Sequence, residues 1–219
     1  MKNKVLKIAF SGPSGMGKST LCKFVRDSMN VPWLSTSAGD ILTSSDKVYL
    51  RDKFNYKGEG HRKVINLSSE NIGFGLEFQE LLLKRRGEQI LTNDSLVIDR
   101  CPIDNVAYFL SQNSHNLPED LVSGFIKEAQ RIYQALDFVI QIRYSPDIPF
   151  IEDNGSRVAN RFFQIYSSDV FSGVYSRYFA NLPHANTPRV LTIDFWDLES
   201  RKQLVKEFIN PSQLAIDLK

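Results

Sequence analysis

The sequence predicts an α/β fold: a parallel sheet covered by helices on both faces. Three observations carry that expectation. Several short segments are almost wholly apolar, as strands buried on both faces are. Helical stretches with a single apolar stripe separate them, and this alternation builds parallel sheets with crossover helices. A glycine-rich loop, Gly12-Pro13-Ser14-Gly15-Met16-Gly17-Lys18-Ser19, joins the first strand to the first helix.

Val5-Leu6-Lys7-Ile8-Ala9-Phe10 reads as a buried first strand, and Thr20 to Met29 as a helix with Leu21, Phe24, Val25 and Ser28 on one face. Val31 to Ser35 is a short second strand whose Pro32 suits a strand start. Ser95 to Asp99 and Asp137 to Ile142 are apolar enough to be central, and Arg189 to Asp194 closes the series. Among the helices, Glu70 to Leu91 carries Leu76, Leu81, Leu83 and Ile90 among charges, and Pro102 starts another. Pro118 to Leu136 opens on a first-turn proline with Glu119 and Asp120 beside it, and spaces Leu121, Phe125, Ala129 and Ile132 helically. Arg157 to Phe179 and Leu198 to Ile209 complete the set. Ser44 to Ser69 breaks the alternation, being polar and aromatic with Tyr49, Phe54, Tyr56 and the basic run His61-Arg62-Lys63. A stretch this long reads either as part of an acceptor-binding insertion or as a solvated excursion pinned by its aromatic residues.

At 219 residues, 42% hydrophobic and 24% charged, the chain suits one domain with a full core. A net charge of +2 argues against a dedicated nucleic-acid binder without excluding DNA as a substrate. Cys22 and Cys101 are the two cysteines, and a structural disulfide is not expected of them. The N-terminus runs straight into the first strand with no apolar signal core, and no segment of about 20 apolar residues occurs, so a cytoplasmic protein without membrane insertion is expected. His61, His115 and His184 lack metal-ligand spacing.

The glycine loop fits the pattern G-x-x-x-x-G-K-[ST] in full and has the strand before it and the helix after it that the pattern needs. Its glycines let backbone N–H groups converge on a polyphosphate, and the helix N-terminus adds partial positive charge. Gly12, Ser14, Gly15, Met16, Gly17, Lys18, Ser19 and Thr20 are the candidate nucleotide contacts, with Lys18 reaching the β and γ phosphates and Ser19 ligating Mg²⁺. Asp99-Arg100 ends the third strand, so both residues should face that loop from the carboxyl edge of the sheet. Asp99 suits Mg²⁺ or nucleophile orientation, or capping of the helix at Pro102; Arg100 suits phosphate charge. Asp104 either accepts a hydrogen bond from the acceptor or serves as a first-turn acid.

With the loop, the run Val97-Ile98-Asp99-Arg100-Cys101-Pro102-Ile103-Asp104-Asn105-Val106-Ala107-Tyr108 and the run Pro149-Phe150-Ile151-Glu152-Asp153-Asn154-Gly155-Ser156-Arg157 resemble the small P-loop kinases. That group includes thymidylate kinases, ribosylnicotinamide kinases and phage nucleotide kinases, and the resemblance spans about residues 5 to 195. It implies a three-layer fold with a five-stranded parallel sheet in the order 2-3-1-4-5, an acceptor-binding insertion over about 37–75 and a lid over about 147–165. It places Arg157 and Arg161 in the lid, where arginines meet the transferring phosphoryl group; at i and i+4 they can share one helical face, and the alternative is a surface pair with Asp153 and Asp169. Ser35-Thr36-Ser37-Ala38-Gly39-Asp40-Ile41-Leu42 is similar to the S-T-G-D stretch of adenylate kinases, with two extra residues and with Thr43 where those enzymes carry an arginine. A monophosphate acceptor would then take its cation from Arg51, Arg62 or Arg100, whereas a hydroxyl acceptor would need a base, for which Asp40 is placed if it is not a helix N-cap. Gln79 lies where many members present an amide to the acceptor base, or else is a solvated surface residue; Phe74, Phe78 and Tyr108 could stack on a base or pack in the core.

The expectation is an ATP- and Mg²⁺-dependent kinase, monomeric or homodimeric, acting on a nucleoside or deoxynucleoside monophosphate. Its rivals are a phage kinase that phosphorylates hydroxymethylated pyrimidines within DNA, and a P-loop ATPase switch.

Overall fold

The structure, a computed structural model, describes residues 6–34, 38–58, 64, 68, 70–113, 117–148, 161–183 and 187–209. Strands β1 (Lys7–Ser11), β2 (Trp33–Leu34), β3 (Leu96–Ile98), β4 (Phe138–Ile142) and β5 (Arg189–Ile193) form one sheet in the order β2-β3-β1-β4-β5. Every pairing is parallel, with Ala9 opposite Ile98 on one side and Val139 on the other. The sheet therefore has the five strands and the order that the resemblance implies.

Side-chain alternation along the strands divides the core in two. On one face Ile8, Phe10, Val97, Phe138, Ile140 and Ile142 pack against α1 (Lys18–Met29) and α8 (Leu198–Ile209). On the other, Ala9, Leu96, Ile98 and Val139 pack against α4 (Ile72–Thr92), α5 (Pro102–Asn113), α6 (Glu119–Tyr133) and α7 (Arg161–Tyr178). Burial of a side chain such as Phe10 contributes about 1.5–3 kcal/mol, and β1 and β4, apolar at Ile8 to Phe10 and at Phe138 to Ile140, sit centrally.

The stretch expected to break the pattern contains α3 (Ser44–Phe54), preceded by the four-residue α2 (Ala38–Ile41). A capping box starts α3: Thr43 Oγ1 accepts from the Asp46 amide at 3.1 Å, and Asp46 accepts from the Thr43 amide at 2.9 Å. Arg85 of α4 pairs with Asp46 at 2.8 Å and, helped by Thr43, holds that carboxyl well below the usual range. Leu50, Tyr56, Phe74, Phe78 and Leu82 make a third, smaller core between this segment and α4. Phe74 and Phe78 are thus packing residues, fully buried and stacked at 5.3 Å between centroids.

Two local expectations need correction. Ser28 is exposed, and Cys22 takes the buried place on α1 beside Leu21 and Val25. Pro118 is the N-cap of α6 and not its first-turn residue, because its ψ of 141° is extended. Cys22 and Cys101 are buried free thiols whose pKa burial pushes up. Among the described residues, no helix is long and apolar enough to cross a membrane.

Candidate active site

β1 ends at Ser11 and the chain turns directly into the glycine loop at the carboxyl edge of the sheet. Gly12 has φ 133°, and a Cβ there would lie 2.1 Å from the Ile142 carbonyl oxygen of β4. Only glycine lets the loop rest against that strand. Met16 is fully buried in the core beneath the loop, and Gly17 caps α1 in the left-handed region with no side-chain bond. The first-turn amides of α1 thus have no side-chain cap and suit an anion.

Lys18 is 5% exposed and donates from Nζ to the Pro13 carbonyl at 2.5 Å, folding across the loop. Burial, and then the charge of Arg100, lowers its pKa from 10.5 to about 7, against the opposing pull of Asp99 and Asp104. Ser19 and Thr20 are exposed at the helix start, and Ser19 Oγ donates to Asp99 Oδ2. A hydroxyl and a carboxylate in contact are two hard oxygen donors, the kind Mg²⁺ takes alongside phosphate and water, so the pair fits the ion. Asp99 is therefore engaged with the phosphate loop.

Arg100 is locked onto the same loop. Nη2 donates to Ser14 Oγ at 3.0 Å, and Nη1 to the Gly12 carbonyl and Tyr108 Oη, both at 3.2 Å. Burial works against its charge, yet Tyr108, Asp104 and Asp99 hold the guanidinium above its ordinary value. Asp104, on the first turn of α5, is 1% exposed. Its Oδ1 accepts from Ser11 Oγ at 2.6 Å and the Gly12 amide at 3.3 Å, while Oδ2 lies 3.4 Å from Arg100. Its carboxylate is thus buried in bonds that shape the loop and aim Arg100.

Gln79 is 3% exposed and not a solvated surface amide. Its Oε1 accepts from Asn105 Nδ2 at 3.3 Å, and Asn105 Oδ1 accepts from Arg86 Nη1. Burial lowers the Arg86 pKa to about 10, with Asp104 opposing. Asp40 is exposed inside α2, and the cap that follows is Thr43, so the N-cap alternative for Asp40 does not hold. Arg51 is 57% exposed on α3 and bonds the adjacent Asp52. Arg161 begins the described part of α7 and donates to Tyr144 Oη at 2.6 Å. Arg62, Arg157 and the run 149–157 lie outside the described residues.

The structure therefore joins the glycine loop, Asp99, Arg100 and Asp104 into one cluster, with Gln79 tied to Asn105 behind it. Among the described residues, Arg51 and Arg161 make no bond to that cluster. Sequence reasoning gave no role to Arg86, Asn105 or Arg201. Arg86 and Arg201 interrupt buried helical stripes, and that is the signal each carried.

The family model of the AAA domain matches residues 7–165, the span that holds the loop, Asp99 and Arg100. The chain belongs to the AAA domain family. Curated cytidylate kinases from two strains of Nitratidesulfovibrio vulgaris resemble this AAA domain over a shorter stretch. One is 30% identical over 88 residues, 34% of this chain and 38% of the relative; the other is 31% identical over 80 residues, 30% and 34%. The match thus spans little more than a third of the relatives' length. In fold, the chain is similar to deoxyadenosine kinase from M. mycoides with bound dCTP, at TM-score 0.59, 14% identity and coverage of 94% of this chain and 99% of that one. Thymidylate kinase from Ehrlichia chaffeensis gives TM-score 0.52, 15% identity and coverage of 94% and 98%. At such identities the likeness is one of fold, and the fold is that of the small P-loop kinases.

Proposed function

We propose that this chain is an ATP-dependent phosphotransferase that moves the γ-phosphoryl group to a nucleotide-like acceptor, a nucleoside or deoxynucleoside monophosphate. The observation that carries the reading is the cluster of Lys18, Ser19, Asp99 and Arg100 on one glycine loop. Phosphoryl transfer asks the protein for positioning and electrostatics, and this cluster offers both. The amides of Gly15 to Thr20 would bind the polyphosphate, and Lys18 would exchange the Pro13 carbonyl for a phosphate oxygen. Bound Mg²⁺ would neutralise charge on the phosphate oxygens, held by Ser19 and Asp99. Arg100, already aimed by Asp104, would steady the transferring group as the acceptor oxygen bonds to phosphorus and the β–γ bridge breaks to release ADP.

In this reading the segment over about 37–75 is the acceptor-binding insertion and the segment over about 147–165 the lid. Gln79, fixed by Asn105, would offer its remaining amide group to a base edge. The names of the curated relatives support a nucleotide acceptor. The nature of the accepting group is testable through Asp40 and Arg51. A hydroxyl acceptor needs a base, so Asp40→Asn should slow single-turnover transfer about 10²–10⁴-fold while Arg51→Ala does little. An ionised phosphate acceptor reverses the pattern. No transfer by the wild-type chain to either acceptor would overturn the proposal.

A further inference from the structure

Arg201 lies on the buried stripe of α8 with Val205 and Ile209, 1% exposed, where an apolar residue would be expected. Its guanidinium reaches the phosphate loop from beneath. Nη1 donates to the Met16 carbonyl at 2.8 Å, Nε donates to the Phe195 carbonyl, and the group lies 4.9 Å over the Trp196 ring. Nη2 is buried with no hydrogen-bond partner among the described residues. An arginine desolvated to this degree is costly, so a hydrophobic residue would have served the core better.

The peptide it grips is the informative one. Met16 C=O and Gly17 N–H belong to the same planar trans peptide and point in opposite directions. Glycines at 15 and 17, with φ 83° and 82°, flank Met16 and leave that peptide free of the Cβ clashes that would otherwise fix it. Gly17 lies against Arg201, for a Cβ on it would lie 3.4 Å from Nη1, in van der Waals contact. Holding the carbonyl down on Arg201 therefore turns the Gly17 amide away from α8.

We propose that Arg201 is a positioning residue of the phosphate site: by fixing the Met16 carbonyl it presents the Gly17 N–H to the polyphosphate. The inference rests on the proposed phosphate-binding role of the loop. Lysine cannot replace it, because one ammonium lacks the planar fork that serves two carbonyls and a ring face together.

The test compares Mg·ATP, ADP and adenosine binding by calorimetry in the full-length wild type, Arg201→Met and Arg201→Lys. Adenosine shares the base and ribose and lacks the phosphates. Both variants should lose at least about tenfold in the ratio of ADP to adenosine affinity, with adenosine affinity itself unchanged. A ratio within twofold of wild type in either folded variant would overturn the inference, and a variant that merely loosened the fold would lose affinity for all three ligands alike. If neither variant folds, the wild-type chain decides: the Gly17 amide resonance should shift on ADP binding, and a Gly17 amide indifferent to ADP overturns the inference. Failure of the wild type to bind Mg·ATP or ADP would instead sink the phosphotransferase reading beneath it.

Discussion

Replacing Lys18 with methionine should abolish phosphoryl transfer and at the same time stabilise the fold. The buried ammonium has its pKa lowered from 10.5 to about 7 by burial first and the Arg100 charge second, with Asp99, Asp104 and Cys22 pulling the other way. A group whose pKa falls on folding binds fewer protons in the folded chain than in the unfolded one. Its penalty is therefore full below pH 7, declines as pH rises, and is gone above 10.5. At 1.36 kcal/mol per pH unit, the gap between 10.5 and about 7 amounts to roughly 5 kcal/mol. Methionine removes that penalty and forfeits one hydrogen bond to Pro13, worth about 1 kcal/mol. Lys18→Met should thus exceed wild type by up to about 4 kcal/mol at pH 7, with the advantage shrinking by as much as about 1.4 kcal/mol per unit towards pH 10. Urea denaturation of both proteins at pH 7, 8 and 9.5 measures it. A mutant less stable than wild type at pH 7, or a difference that ignores pH, would refute the reasoning.

The same lysine should take up a proton when polyphosphate arrives: at pH 8, calorimetry of ATP binding in buffers of different ionisation enthalpy should register uptake approaching about 0.9 proton, and Lys18→Met should register none. Gly12→Ala should cost more than about 3 kcal/mol in denaturation, since its Cβ would meet the Ile142 carbonyl at 2.1 Å in a left-handed conformation; a cost below 1 kcal/mol would contradict that geometry. Asp104→Asn removes the carboxylate charge beside Arg100, whose bonds to Ser14, Gly12 and Tyr108 remain, and should destabilise by about 1–3 kcal/mol and lower kcat; a folded variant as stable and as active as wild type would contradict the aiming of Arg100 by Asp104.

The sheet was legible because its inner strands β1, β3 and β4 are buried on both faces and therefore read as apolar runs, and the phosphate loop because its chemistry demands residue types at fixed spacing. The helix α3 was not: its residues Ser44 to Phe54 carry little apolar periodicity, and its order comes from the Thr43–Asp46 box and from Arg85, thirty-nine positions away. The role of Asp104 was equally hidden, because its partners, Ser11 at the end of β1 and Gly12 at the start of the glycine loop, lie more than ninety residues earlier. Arg86 and Arg201 announce themselves only as charges on otherwise apolar stripes. Which carbonyl or amide each one holds is a property of packing between distant elements and leaves no local trace.

In the proposed function the loop at Gly12 to Ser19 supports transfer of the γ-phosphoryl group to a nucleotide-like acceptor. The most direct measurement is incubation with γ-labelled ATP and Mg²⁺ in the presence of deoxynucleosides, deoxynucleoside monophosphates, nicotinamide riboside or hydroxymethyluracil-containing DNA, followed by separation of the products. Label is expected on a free nucleoside or nucleotide, and none with Lys18→Ala in a chain whose circular dichroism is unchanged. Label released only as inorganic phosphate, or carried only by DNA, would contradict it.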